Sequence, residues 1–541
     1  MRTKRLMALL ALMMALVMLL SACGGGGAPA ADQPAADEPA AEQPAADEPA
    51  AEEPAAEPAG EDETLYVTIS NEPGNIFPLD AEAGDGHWID WCIYDRLVNF
   101  DSDTGELVPG LATDWEWIDD THLQLTIRDG VVAYDGSIID ANDVMYSIQL
   151  GLSGDATTQW AAVDGDECYV VDDHTIVIGM KTTYPTVIGK LSYVAFLTIV
   201  DESSVEALGG YDAALRNPRC TTGPYFFDEW KDGEYIRIVR NEDYWGDPGY
   251  YKYIQFNWTD DSTAKTMGVA AGDVNFAVEI DSADKLALDA GMYPGCVSYT
   301  TSGGGTNVVF FNTTNEYLSN ELVREAIYYA IDTDYINQVA TDNTGKVADS
   351  IISSASPYYK SPETKRENNI EKAKELIAQA GYAEGEIKLT LPAVPPTLAV
   401  SNAIAANLQE AGIDATVVSM EILVYLAATD TGDFDLCVQP TFSDDIINYV
   451  RYYDDRMALN TRGGGIVGGF EDMYDILDTA SGEMDTTKNM AAFGDLQDYV
   501  AEHSLTVPLY ETTIFYAADG NYTFKNYSNG HINFSTVKPA D

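Results

Sequence analysis

The sequence predicts a mixed α/β fold in two or three lobes, placed behind an N-terminal segment that builds no core. Three observations lead there. At 541 residues the chain is longer than one hydrophobic core serves. Apolar residues make up 46% and aromatic residues 11%, a globular composition once the first 63 residues are set aside. In the second half, helical spacing over Ile370 to Ala380 and Val400 to Ala411 alternates with a strand at Ala415 to Val418.

Met1 to Leu20 carries Arg2, Lys4 and Arg5 before an apolar run from Leu6 to Leu20, too short for a membrane span and suited to an export signal. Gly24 to Gly60 repeats Ala, Pro and Glu, with Pro at 34, 39, 44, 49 and 54. Nothing in it fills a core, so it is expected to be a disordered, semi-rigid spacer. At about 3.1 Å per residue it reaches on the order of 100 Å.

Leu65 to Ile69 alternates as a first strand, followed by a loop over 71–80 with Pro73, Gly74 and Pro78. Trp88 to Leu97 reads as a helix start bearing Trp88, Trp91 and Tyr94. Asp101 to Gly105 has the acids of a calcium loop without its distal Glu, so a hairpin turn is expected there. Leu123, Leu125 and Ile127 alternate, Asp140 caps a helix running to Leu150, and Ile176, Ile178 and Met180 give another strand. Tyr225 to Trp230 and Tyr235 to Val239 form a hairpin across Lys231-Asp232-Gly233. A strand at Lys252 to Trp258 and a helix from Asp261 to Ala271 follow. Ser302-Gly303-Gly304-Gly305-Thr306 permits close backbone approach, either to a ligand or as a hinge. Val323, Ala326, Ile327 and Ala330 set a helical stretch over 320–340, and Met490, Phe493, Leu496 and Val500 mark the last long helix.

Charge and motif content exclude several functions. The net charge is -59, and 76 acids against 26 bases remain after residue 63, so nucleic acid is an improbable partner. There is no C-x-x-C, the five histidines are scattered, and no metal site is expected. Gly463 to Gly468 matches G-x-G-x-x-G by letter, but no strand leads into it and a loop is expected. Gly345-Lys346 lacks both the earlier glycine and the following Ser or Thr of a phosphate-binding loop. Neither G-x-S-x-G nor H-E-x-x-H occurs; no catalytic residue and no cofactor is assigned.

Thr222-Gly223-Pro224-Tyr225, Phe227, Trp230, Gly233, Ile236, Arg240-Asn241 and Tyr244-Trp245-Gly246 together resemble the central pattern of the family 5 extracellular solute-binding proteins, the dipeptide, oligopeptide and nickel receptors of ABC importers. Val108 to Glu116 with Asp135-Gly136, and Phe311 to Thr314 with Val323 to Ile327, are similar to two further blocks of that family in the same order. The resemblance implies a two-lobed, periplasmic-binding-protein-like fold with mixed sheets. A discontinuous first lobe would cover 64–300, with a subdomain at about 109–190, and return at 508–541; the second lobe would cover 301–507. It implies an ABC importer's substrate-binding lipoprotein, acting as a monomer, that captures a small ligand, an oligopeptide or dipeptide first among them, and hands it to the permease subunits. A secreted carboxylate-dependent hydrolase and a surface sensor or adhesin stay open as alternatives.

Leu20-Ser21-Ala22-Cys23 resembles the lipobox of bacterial lipoproteins, implying signal cleavage after Ala22, acylation of Cys23 and anchoring to the outer face of the plasma membrane. A bridge between Cys296 and Cys437 is implied in the same way. Peptide-binding members place an Asp shortly before a D-P-x-x-[FY] stretch; in the similar stretch here Phe442 stands near that position, with Asp444 or Asp445 as replacements. The cleft is therefore expected to draw on Trp88, Trp91, Gly304, Thr306, Phe442, Asp444 and Asp445.

Overall fold

The structure, a computed structural model, describes residues 63–77, 84–153, 160, 162–193, 196–441, 446–456, 470–527 and 529–540. The export signal, Cys23, the linker and Gly463 to Gly468 lie outside the described residues. No helix among the described residues is long and apolar enough to cross a membrane.

Strands of three residues or more are β1 (Thr64–Ile69), β2 (Val98–Asp101), β3 (Glu106–Pro109), β4 (Ala112–Trp117), β5 (His122–Ile127), β6 (Tyr169–Asp172), β7 (Thr175–Gly179), β8 (Tyr225–Lys231), β9 (Tyr235–Arg240), β10 (Tyr253–Trp258), β11 (Phe276–Val278), β12 (Val297–Phe311), β13 (Lys388–Ala393), β14 (Asp414–Ser419), β15 (Leu436–Thr441) and β16 (Thr506–Ala518). Helices of seven residues or more are α1 (His87–Ile93), α2 (Ala141–Ser153), α3 (Glu202–Leu208), α4 (Ser262–Ala270), α5 (Ser282–Asp289), α6 (Glu321–Ala330), α7 (Thr333–Thr341), α8 (Ile370–Gln379), α9 (Pro395–Glu410), α10 (Ile422–Thr431), α11 (Ile447–Tyr453), α12 (Tyr474–Gly482) and α13 (Thr486–Glu502).

One eight-stranded sheet, ordered β15-β12-β16-β11-β1-β10-β9-β8, runs through both lobes. Its first-lobe half is mixed, with β1 parallel to β10 and β11 and the β8–β9 hairpin on its edge. The 15-residue β12 and 13-residue β16 pair antiparallel from Val297↔Ala518 to Phe310↔Thr506. Their register shifts between Ser302 and Thr306, and beyond that bulge β12 gains β15 as its other neighbour. Extra residues in one strand bend and twist a pair locally, and β12 carries them where it takes on β15 as a neighbour. The four-stranded sheet β4-β5-β7-β6 forms the subdomain, and parallel β13–β14 flanks the second lobe.

Leu65, Val67, Phe256, Phe276 and Tyr516 belong to a first-lobe core; Val309, Ile327, Leu376, Leu391, Ile404 and Leu436 belong to a second-lobe core. A third apolar cluster is continuous from the subdomain (Leu123, Ile148, Phe196) to Tyr449, Phe493 and Leu496 of α11 and α13, so subdomain and second lobe are in apolar contact. Between lobes, Ser282 Oγ at the start of α5 donates to Asp342 Oδ2 beyond α7 at 2.5 Å.

Local chemistry explains most elements. Asp261, Asn369 and Asp485 accept from the backbone N–H of Ala264, Lys372 and Lys488, capping α4, α8 and α13. Asp101 Oδ1 accepts from the N–H groups of Asp103 (2.8 Å) and Thr104 (3.2 Å), and Gly105 sits at φ 75°, making the expected hairpin turn between β2 and β3. Three expectations need correction. The helix at Trp88 ends at Ile93, because Tyr94 is extended and Asp95 is turned inward to accept from Tyr244 Oη (2.8 Å) and Trp245 Nε1 (2.9 Å). The stretch 320–340 is two helices: Ile331 is extended and Asp332 caps α7 by accepting from Tyr335 N. Finally, no bridge joins Cys296 and Cys437, and all five described cysteines are free thiols. Cys437 pairs with Phe310 while Cys296 precedes Val297, so nearly the whole of β12, on the order of 40 Å, separates them.

Candidate functional site

The carboxyl ends of parallel strands in an α/β sheet open onto a crevice that favours ligands. Here β1, β10 and β11 end at Ile69, Trp258 and Val278, and the residues just beyond form a polar cluster. Ser70 Oγ donates to Glu279 Oε2 at 3.0 Å, and Lys265 Nζ of α4 donates to Ser70 Oγ at 2.7 Å and to Val278 O at 2.9 Å. Burial holds the Lys265 ammonium below its ordinary pKa. Asn71 N donates to Asp85 Oδ2, fixing the loop after β1. Glu279 is exposed and sits at φ 52°, a left-handed conformation that costs a non-glycine residue about 1 kcal/mol or more and tends to mark a working position.

From this cluster a continuous wall leads to the interlobe bulge. Tyr516 meets Trp88 edge-on (centroids 6.1 Å) and pairs with Thr301 Oγ1 at 3.4 Å. Trp88 stacks on His531 (4.4 Å), which stacks on His87 (4.7 Å). Gly530, before His531, packs so tightly that a Cβ there would lie 1.4 Å from Ser302 O. Across the bulge, Thr441 Oγ1 accepts from Thr306 N (3.2 Å) and donates to Thr306 O (3.1 Å) or Ile351 O (2.9 Å). Glu511, 8% exposed, is paired by Lys346 Nζ at 2.9 Å and accepts from Ser354 Oγ at 2.9 Å. First-lobe strand ends, a glycine-rich crossing and second-lobe hydroxyls and charges thus adjoin along one path.

The expected site residues distribute unevenly over it. Gly304 (φ 70°) and Thr306 lie in the bulge, Thr306 fully buried with its Oγ1 unpartnered among the described residues. Trp88 belongs to the wall but is only 2% exposed. Trp91, 4% exposed, points elsewhere: it packs on Tyr193 and Tyr527 in the first-lobe core. Phe442, Asp444 and Asp445 follow β15 directly and lie outside the described residues. Sequence reasoning missed Ser70, Lys265, Glu279, Lys346, Glu511 and His531; a polar residue directly after each parallel strand was the available signal for Ser70 and Glu279.

Burial and the neighbouring charge of His87 pull the His531 pKa down to about 3. The native state therefore refuses a proton that the unfolded chain takes up below pH 6.5, so the associated stability is complete above that pH and is lost on acidification. At pH 5 the loss is about 2 kcal/mol. Burial pushes Asp90, whose carboxylate oxygens have no partner among the described residues, well above its ordinary range, which acts in the opposite direction. A comparison of variants isolates the histidine: His531→Phe keeps the ring stack and is expected to remove about 2 kcal/mol of the pH 7 to pH 5 dependence, read by urea unfolding at both pH values. An unchanged pH dependence would contradict the assignment.

Comparison with known proteins agrees with this architecture. The profile of the bacterial extracellular solute-binding proteins, family 5, matches residues 106–454. The periplasmic murein peptide-binding protein MppA of Escherichia coli K12 is 25% identical over 492 residues, covering 84% of this chain and 88% of its own. The nickel-binding periplasmic protein of the same organism is 25% identical over 59% of this chain and 61% of its own. Among solved structures, HbpA2 from Haemophilus parasuis superposes with a TM-score of 0.77 at 21% identity, over 88% of this chain and all of that one.

Proposed function

This chain belongs to the bacterial extracellular solute-binding proteins, family 5, and from that premise we propose that it is the substrate-binding lipoprotein of an ABC importer, taking a short peptide between its lobes and delivering it to the permease. The observation that carries the reading is the bulged β12–β16 crossing, which joins the polar strand ends of the first lobe to Thr306, Thr441 and Glu511 of the second. A ligand that touches both lobes stabilises the closed arrangement over the open one, and that difference in free energy drives closure.

An extended peptide offers backbone N–H and C=O groups, an α-ammonium and a carboxylate. Glu279 on the first lobe, and Asp444 or Asp445 after β15, supply carboxylates for the ammonium. Phe442 and the glycine backbone supply apolar and close-approach surface with Trp88 packed behind, and Gly304 and Thr306 fix the floor. The protein works as a monomer, with Cys23 acylated and the spacer holding the folded part off the outer face of the plasma membrane.

Calorimetric titration with a panel of di- to nonapeptides, each with free or acetylated N-terminus, tests this. Binding of one peptide per chain is expected, weakened at least tenfold by acetylation and by Glu279→Gln or the pair Asp444→Asn and Asp445→Asn. Equal affinity for free and acetylated peptides would contradict ammonium pairing, and no binding across the panel would contradict the peptide class.

A further inference from the structure

Helix α10 is apolar from Ile422 to Ala428, yet little of that stretch is inside. Tyr425 and Thr429, one turn apart, are buried at 4% and 1% exposed, and Tyr425 Oη donates to Val438 O at 2.9 Å. Ile422 is 53% exposed, Leu423 77%, Val424 57% and Leu426 45%, and Val418 at the end of β14 adds 38%. An apolar helical stretch of two turns is ordinarily enclosed. Contiguous exposed apolar surface marks a place where something else sits.

The surrounding charge selects the occupant. Between Lys388 and Arg451 the sequence has no Lys, Arg or His, and eight acids. Two of these, Glu421 and Asp433, are exposed at the two ends of α10. Helices that lie in a membrane interface carry basic residues on their polar face, which anionic headgroups attract; acids at both ends would be repelled. A second copy seated through a two-fold axis would set the same patch against itself, acid rim on acid rim. The remaining complement is a protein surface with an apolar groove and a Lys/Arg rim.

We infer that α10 is the second-lobe element by which this chain docks on the periplasm-facing or outer surface of its permease, Leu423 and Val424 entering an apolar groove whose basic rim meets Glu421 and Asp433. This rests on the delivery role proposed above. Tethering one end of the chain raises the local concentration of the patch at the membrane, so a small contact suffices.

The test uses the full acylated chain in proteoliposomes that contain the cognate permease and ATPase subunits. ATPase stimulation by the wild type is expected to be half-maximal at a concentration at least tenfold lower than for Leu423→Glu, with Glu421→Lys shifted in the same direction and peptide affinity unchanged in both. In parallel, the chain carrying a benzoylphenylalanine in place of Leu423 is irradiated, and an adduct with a permease subunit is expected. Stimulation by Leu423→Glu equal to wild type, or an adduct with lipid, with a second copy or with nothing, overturns the docking role of α10. Failure of the wild type itself to stimulate overturns the delivery reading and the inference with it.

Discussion

Gly305→Ala is expected to cost about 3 kcal/mol or more of stability and to abolish ligand capture. A Cβ at this position would lie 2.1 Å from Thr441 O and 3.4 Å from Thr512 Oγ1, and the first obstacle is backbone. Relief requires β15 to move away from β12, which breaks the Thr306 N to Thr441 Oγ1 hydrogen bond and the Thr306↔Thr441 register at the interlobe crossing. Gly520→Ala, close after β16 and with nothing within 4 Å of the added Cβ, is the control and is expected to be near neutral. Urea unfolding measures both. Equal, small effects would show that the crossing tolerates side chains, and the close approach would then play no part in joining the lobes.

Arg324→Met is expected to be nearly as damaging, at about 3 kcal/mol. Arg324 is 2% exposed in α6, and burial lowers its pKa. Its Nη1 donates to Leu318 O (3.0 Å) and Ser319 O (3.2 Å), while Nε and Nη2 donate to His503 O at 3.3 and 3.1 Å. One guanidinium therefore ties the loop before α6 to the end of α13 across 179 residues of sequence. Methionine fills the volume and leaves those carbonyls without donors. Arg324→Lys, a point charge without the planar fork, is expected to recover part of the loss. A fall in the urea midpoint at unchanged slope is the predicted signature; a neutral Arg324→Met would mean that water satisfies the carbonyls.

The reach of the sequence can be followed residue by residue. The hairpin at 225–239 was legible because aromatic and β-branched runs flank Asp232-Gly233, and Gly233 takes φ 72° in the turn. The cap at Asp140, which accepts from Asn142 N at 2.7 Å, was legible for the same local reason. Long-range features were not. The break at Ile331 was missed because the period of Val323, Ala326, Ile327 and Ala330 was carried past it, although Ile336 already falls on the opposite face from Ile327. The helix expected from Val400 begins at Pro395, since proline is tolerated in a first helical turn whose N–H groups lack partners anyway. Helix α10 contradicts the rule by which apolar periodicity is read, because Ile422, Leu423, Val424 and Leu426 are exposed. In the site, the glycine run announced close approach but not its partner, Thr441, 136 residues after Gly305. Trp88 and Trp91, three residues apart on one short helix, were read as a pair for the cleft; the structure puts Trp88 on the wall beside His531 and Trp91 among Tyr193 and Tyr527.

The central claim, that two lobes joined by β12 and β16 hold a guest without altering it, is tested most directly by native mass spectrometry of the full chain after incubation with an equimolar panel of di- to nonapeptides, glutathione, a nickel chelate and haem. The account predicts one adduct per chain, drawn from the peptides, whose mass is unchanged after prolonged incubation and on release. An adduct of a non-peptide class would correct the ligand; no adduct at all, or recovery of the guest as cleaved products, would contradict the receptor itself.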